Sequence, residues 1–257
     1  MLGISIYKNK ANFLRTSKLS NNDLCVTHHG TYKYSDLNGT ISNCLKDIIK
    51  NENIRNENSI SLILDTQFCL FNQIFCDDLD SLDFHGSISG FSDIENLDSY
   101  YYPMGLRDDR YLGVHIDNKL KEKIINSVDK LGFKIDSIGL GIFSAQKLAS
   151  SVFKAQSLSK YAIIRFVTSS SMEIIYMNDG LFSLYGRFNI VKNKINPIKV
   201  FGDNSSIDDV LITIEQIVKG RKSLSKIDRV FMYQSSGQSK LIKNLINRKY
   251  NDIVLLD

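Results

Sequence analysis

The chain has 257 residues, 43% of them hydrophobic and 23% charged, enough for one large or two small globular domains without disulfide or metal staples. Its formal net charge is +4, but Lys and Arg are scattered. The densest basic stretch, 219–226, is broken by Gly220, Ser223, Leu224 and Ser225, which argues for a solvated surface and against a nucleic-acid face. Cys25, Cys44, Cys69 and Cys76 form no C-x-x-C pair, have no histidine at zinc spacing, and read as small buried thiols. The start MLGISIYKNK lacks a signal-peptide pattern, and no segment approaches the roughly 18 apolar residues of a membrane span. The expectation is a cytosolic chain with reduced thiols and no direct membrane insertion.

In chain order, Leu2–Ile6 is a strand, Lys8-Asn9-Lys10 a turn, Ala11–Arg15 a returning strand, and Leu24 to His29 or Tyr34 a third. The period then changes: Leu37, Ile41, Cys44, Leu45, Ile48 and Ile49 lie at helical spacing. Ser59–Leu64 is a short buried strand. Residues 66–117 interrupt the pattern. Phe68, Leu70 and Phe75 suggest a hairpin arm, and Tyr100–Met104 and Tyr111–Ile116 suggest two strands around the turn Arg107-Asp108-Asp109-Arg110, so the region reads as a strand-rich insertion. Leu120, Ile124, Ile125, Val128 and Leu131 predict a helix ended by Gly132, followed by a strand over 135–140 and a helix over 142–153. The order then recurs. Tyr161–Val167, Met172–Met177 and Leu181–Phe188 predict three strands, with Asn178-Asp179-Gly180 as a hairpin turn. Ser206 is the expected cap of a helix striped by Ile207, Val210, Leu211, Ile214, Ile217 and Val218, with Asp209 at the capping-box position. A strand over 229–233, a helix marked by Leu241, Ile242, Leu245 and Ile246, and a strand over 253–256 complete the copy. Strand-strand-strand-helix-strand-helix-strand, twice, predicts α/β layers with mixed sheets. The expected division is 1–155, with its insertion at about 66–117, and 156–257.

Few chemical motifs stand out. Asp77, Asp78, Asp80 and Asp83 lack the glycine and terminal glutamate of a calcium loop and read as a solvated segment. His28-His29 lies in a strand, where neighbours face opposite ways and cannot easily share a metal. Ser169 and Ser170 lack a G-x-S-x-G elbow. No catalytic, metal or cofactor residue is assigned. Tyr100-Tyr101-Tyr102 alternates across a strand, so at least one tyrosine is available to a partner unless all three pack the insertion onto its lobe.

The duplicated meander with helices resembles the actin-like ATPase superfamily, whose core is a duplicated ribonuclease H-like motif. Three segments resemble more closely the type IV pilus assembly protein PilM family and its type II secretion relatives: KLKEKIINSVDKLGFKIDSIGLGIFSAQKLA, RFVTSSSMEIIYMNDGLFSLYGRF and IDRVFMYQSSGQSKLIKNLI. The resemblance implies two phosphate hairpins, each with an acid and a glycine two residues on, and a glycine pair at an adenosine turn. This chain has Ser5 and Tyr7 at the first hairpin, Arg165 and Val167 at the second, and Ser235-Ser236 before a single glycine, Gly237, at the third. Without carboxylates a magnesium ion loses its oxygen anchors, and Arg165 is expected to face a neighbouring acid or solvent. What the resemblance implies is a non-catalytic scaffold that binds a short cytoplasmic segment of an inner-membrane protein in a pilus or secretion assembly, in a groove near the tyrosines. The alternatives are a nucleotide-binding ATPase of the same fold with an altered site, or a regulatory protein that shares only the fold.

Overall fold

A computed structural model describes residues 2–18, 24–34, 37–51, 59–76, 96–105, 109–168, 170–191, 194–219, 226–234 and 252–255. The chain divides into two compact units. The first comprises Met1–Phe71, Ser89–Tyr100 and Val114–Gly141; the second comprises Asn72–Ile88, Tyr101–Gly113 and Ile142–Asp257. Residues 142–155, expected with the first lobe, group with the second unit.

In the first unit, β1 (Leu2–Ile6), β2 (Lys10–Lys18), β3 (Leu24–Lys33), β4 (Ser59–Leu64) and β8 (Lys134–Leu140) form a sheet of order β3-β2-β1-β4-β8. The meander β1-β2-β3 is antiparallel, and β1-β4 and β4-β8 are parallel. Period-2 patterning fixes the register: Leu2, Ile4 and Ile6 of β1 and Ile60, Leu62 and Leu64 of β4 are buried on alternate positions. Each such side chain contributes roughly 1.5–3 kcal/mol of burial. Helix α1 (Leu37–Asn51) buries Cys44, Leu45 and Ile48, and α2 (Asn118–Asp129) buries Ile124, Ser127 and Val128. The two meet where the Ser127 hydroxyl, donating to the Lys123 carbonyl, lies 2.6 Å from that of Ser42.

In the second unit, β9 (Lys160–Thr168), β10 (Ser171–Asn178), β11 (Leu181–Val191), β12 (Lys194–Gly202), β13 (Arg229–Gln234) and β14 (Ile253–Leu255) form a sheet of order β12-β11-β10-β9-β13-β14. Again the meander is antiparallel and the last two pairings are parallel. Ile164, Ile174, Leu184, Phe188, Val230 and Met232 cover Val210, Ile214 and Ile217 of α4 (Asn204–Val218) on one face. Helix α3 (Gly141–Val152) belongs to this unit except for its first residue. The remaining strands, β5 (Cys69–Phe75), β6 (Leu97–Pro103) and β7 (Arg110–Asp117), form a sheet of order β5-β7-β6 whose residues are shared between the two units' ranges.

Two expectations need correction. Helix α4 starts earlier than predicted: Asp203 is its cap, its carboxylate accepting from the Ser206 N–H at 2.7 Å, and Ser206 is buried in the first turn. Asp and Ser cap equally well, and the upstream residue took the role. Strand β12 was not foreseen, because Pro197 argues against a strand interior. The strand lies at the sheet's edge, the place in a sheet where proline is tolerated. The hairpin Asn178-Asp179-Gly180 forms as predicted, with φ of +50° at Asp179 and +78° at Gly180. The aspartates at 77–83, Arg107 and Asp108 of the turn at 107–110, Ser169, Ser235, Ser236 and the helix around Leu241 lie outside the described residues.

Candidate functional site

The first hairpin turn closes between β1 and β2. The Tyr7 N–H donates to the Lys10 carbonyl at 2.9 Å, and Lys10 Nζ lies 4.9 Å from the centre of the Tyr7 ring. Tyr34 then clamps the turn from outside: its N–H donates to the Asn9 carbonyl at 3.0 Å, and its hydroxyl donates to the Tyr7 carbonyl. Burial, with the nearby Cys44 and Asp65, raises the Tyr34 phenol well above its ordinary range, so it stays a neutral donor. Asp65, almost fully buried, joins this neighbourhood; its N–H donates to the Ile6 carbonyl, and its carboxylate accepts from the Gln67 N–H at 2.8 Å. Neither Tyr34 nor Asp65 was singled out by sequence. Asp65 sits directly after β4, a position that its strand pattern alone could have flagged. At this turn the Tyr7 N–H is thus taken by the Lys10 carbonyl, and the Tyr7 and Asn9 carbonyls are taken by Tyr34.

At the second turn, the Ser170 N–H donates to Thr168 Oγ1 at 3.2 Å, and the Thr168 and Ser171 hydroxyls lie 2.8 Å apart. Thr168 is thus the partner of both Ser170 and Ser171. Arg165 and Val167 precede it on β9. Arg165 is 1% exposed, and its Nη1 lies 3.5 Å from Glu173 Oε2, itself 1% exposed on β10. The expectation that Arg165 faces a neighbouring acid or solvent resolves to the acid. From β11, Arg187 Nε–H donates to Glu173 Oε1 at 3.0 Å and to the Tyr185 hydroxyl at 3.1 Å. Tyr185 in turn donates to Oε1 at 3.3 Å. The register places these residues in one row across the sheet: Tyr233, Arg165, Glu173, Arg187, Lys199. Burial, reinforced by Glu173, raises the Tyr185 phenol, and burial together with Arg187 lowers the Lys199 amine.

The tyrosine run does not act as one surface. Tyr100 is 40% exposed, with its hydroxyl 3.4 Å from Lys121 Nζ, which is paired to Asp98. Tyr102 is half-buried and stacks on Phe143 at 4.7 Å and near Phe182 at 6.1 Å. Tyr101 is half-buried between them in sequence. Of the three, Tyr100 is the one most open to a partner. Beside it, Ser99 Oγ lies 2.8 Å from Nδ1 of the buried His115, whose imidazole burial drives toward the neutral form. Among the described residues no group of His, Cys, Asp and Glu is arranged to hold a metal, and no helix is long and apolar enough to cross a membrane.

No protein-family model matches the sequence, and comparison with curated proteins yields no match. Solved structures do match. The PilM–PilN type IV pilus biogenesis complex aligns over 100% of this chain and 88% of the matched chain, with a TM-score of 0.56 at 10% identity. The cytoplasmic domain of EpsL, an inner membrane component of the type II secretion system of Vibrio cholerae, aligns over 97% and 96%, with a TM-score of 0.45 at 8% identity. The two sheets of matching strand order and the full-length alignment show that this chain has the actin-like fold seen in PilM.

Proposed function

We propose that the chain is a non-catalytic, actin-like scaffold of the PilM kind. On this reading it works on the cytoplasmic side of a pilus or secretion assembly, where it binds a short segment of an inner-membrane partner. The observation that carries the non-catalytic half is the second hairpin. The position where the resemblance implies a metal-anchoring acid holds Arg165, which is buried and committed to Glu173. A guanidinium fixed in that way neither anchors a hard cation nor swings out to a phosphate. The first turn supports the same reading, since Tyr7 stands where the resemblance implies a glycine and its N–H is taken by the Lys10 carbonyl. The partner-binding half rests on the shared fold with PilM, solved in a complex with PilN, and on Tyr100 as an exposed aromatic in the edge strand β6.

Calorimetry with Mg·ATP at millimolar concentration tests the first half. No saturable heat is expected, and a dissociation constant of order 1 µM would instead make the chain a nucleotide-binding protein. Pulldown from the native host with wild type and with Tyr100→Ala, Tyr101→Ala and Tyr102→Ala tests the second. The Tyr100 variant is expected to lose a membrane-protein partner while remaining folded. Retention of every partner by all three folded variants would make the tyrosines packing residues.

A further inference from the structure

The second unit contains a cavity of about 270 Å³, lined in part by Met104, Arg110, Asn178, Asp179, Leu181 and Asp203. Its walls are fixed by backbone. The Gly105 N–H donates to the Phe182 carbonyl at 2.8 Å, which holds the Met104-Gly105 turn to β11. Asn178 and Asp179 belong to the tight β10–β11 turn, and the Asp179 carboxylate accepts from the Ser159 hydroxyl at 2.5 Å. Asp203 is pinned as the cap of α4, its Oδ1 taking the Ser205 hydroxyl and the Ser206 N–H. The Arg110 guanidinium lies 5.5 Å from the centre of the Phe75 ring.

Two atoms in this lining are buried without a hydrogen-bond partner: Arg110 Nε and Asn178 Oδ1. Neither atom has surface open to the cavity, so what the cavity offers an occupant is the rest of its lining. The charges say which kind. Arg110 is permanently cationic. Burial opposes ionisation of Asp203, but the bonds from Ser206 and Ser205, with the Arg110 charge, outweigh it and hold its carboxyl below the usual range. The two nevertheless form no ion pair within 4 Å, and Asp179 adds a second carboxylate to the lining. A simple anion would satisfy Arg110 but face two carboxylates. A simple cation would face Arg110. A molecule carrying both charges meets all of them, and Met104 and Leu181 leave an apolar wall for the rest of it.

We propose that this cavity binds a free α-amino acid with an apolar side chain, its carboxylate on Arg110 and its ammonium group between Asp179 and Asp203. The proposal is independent of the scaffold reading and of the tyrosine run. The probe is L-leucine, titrated by calorimetry into the full chain alongside 4-methylpentanoate, which lacks the ammonium group, and 3-methylbutylamine, which lacks the carboxylate. L-leucine is expected to bind saturably below about 1 mM, and each analogue at least about tenfold more weakly. Arg110→Gln and Asp203→Asn, the second retaining a good helix cap, are each expected to weaken L-leucine by a similar factor. No saturable heat up to about 10 mM with L-leucine, L-methionine or L-valine would overturn the proposal. So would an analogue that binds as well as L-leucine. Should a variant fail to fold, the comparison of L-leucine with its analogues on the wild type decides.

Discussion

The two meander sheets have the same order and strand sense, and they place different chemistry at the same point. In the first, the row through Ser5 runs Ile63, Ser5, Asn12, Thr31, with the Thr31 hydroxyl donating to Asn12 Oδ1 at 3.0 Å. In the second, the equivalent row runs Tyr233, Arg165, Glu173, Arg187 and continues to Lys199. The extra strand β12 accounts for much of the difference in setting. It makes β11 an interior strand, whereas β3 remains an edge. Thr31 is exposed, while Arg165 and Glu173 are shut away from water. One fold therefore accepts a neutral, wet row and a charged, dry one, provided that the dry charges are paired.

The strongest way to break this comparison is Glu173→Gln. It leaves Arg165 and Arg187 facing each other in a buried row without their shared carboxylate, and the expected cost is about 3–5 kcal/mol. Urea unfolding followed by hydrogen exchange, read separately for the two units, measures it. A loss below 1 kcal/mol would mean that the row is not a paired buried cluster. The next test compares glycines on the two corresponding strands. A Cβ at Gly186 of β11 would lie 2.5 Å from the Phe188 ring, and one at Gly30 of β3 would lie 2.6 Å from the Phe13 ring. Phe188 is in the α4-facing core, and Phe13 is on a sheet whose neighbouring strand is an edge. Gly186→Ala is expected to cost about 1–3 kcal/mol, and Gly30→Ala less, because the edge strand β3 has one neighbouring strand fewer to disturb when it shifts. Equal costs would show that the edge strand is packed as tightly as the interior one.

Much of the frame could be read from residue periodicity. Leu2–Ile6, Ser59–Leu64 and the α1 and α4 stripes declare themselves because one apolar face repeats at a fixed period. The edge strand β12 was illegible because Pro197 carries a signal against strands that only its edge position cancels. The site was legible in part. Arg165 could be seen to stand where an acid was expected, and the choice between a neighbouring acid and solvent needed the register that sets Glu173 opposite it. Tyr34 and Asp65 were hidden because their importance comes from contacts across 27 residues and from burial, neither of which leaves a local pattern. Arg110, Asn178 and Asp203 were hidden for the same reason: 68 to 93 positions separate Arg110 from the other two.

Acid should also separate the units. His115 is buried in the first, bonded to Ser99, with its imidazole held toward the neutral form by burial. Its folded value lies below the ordinary 6.5, so its contribution is complete above that pH. As pH falls through 6.5 toward the lower folded value, the unfolded chain takes up a proton that the native unit refuses, and stability drops. Between pH 7 and 5.5 the first unit is expected to lose about 1 kcal/mol by hydrogen exchange. His115→Gln, which can still bond to Ser99, should flatten that profile. An unchanged profile in the variant would assign the acid sensitivity to other groups.

The smallest expected effect is the counterpart of the first. Asn12 holds the place in the first sheet that Glu173 holds in the second, opposite Ser5 as Glu173 is opposite Arg165. Asn12 is half-buried, and its carbonyl takes a hydrogen bond from Thr31, an exposed residue on the edge strand. When Asn12→Ala removes that acceptor, water can reach the Thr31 hydroxyl, so no buried donor is stranded. The loss is then the net value of one neutral hydrogen bond, about 0.5–1 kcal/mol. Stability in urea, compared with Glu173→Gln in the same buffer, gives the ratio directly. If Asn12→Ala costs as much as Glu173→Gln, the two rows are mechanically alike. The contrast between a wet neutral row and a dry charged one would then fail as an account of how the two sheets differ.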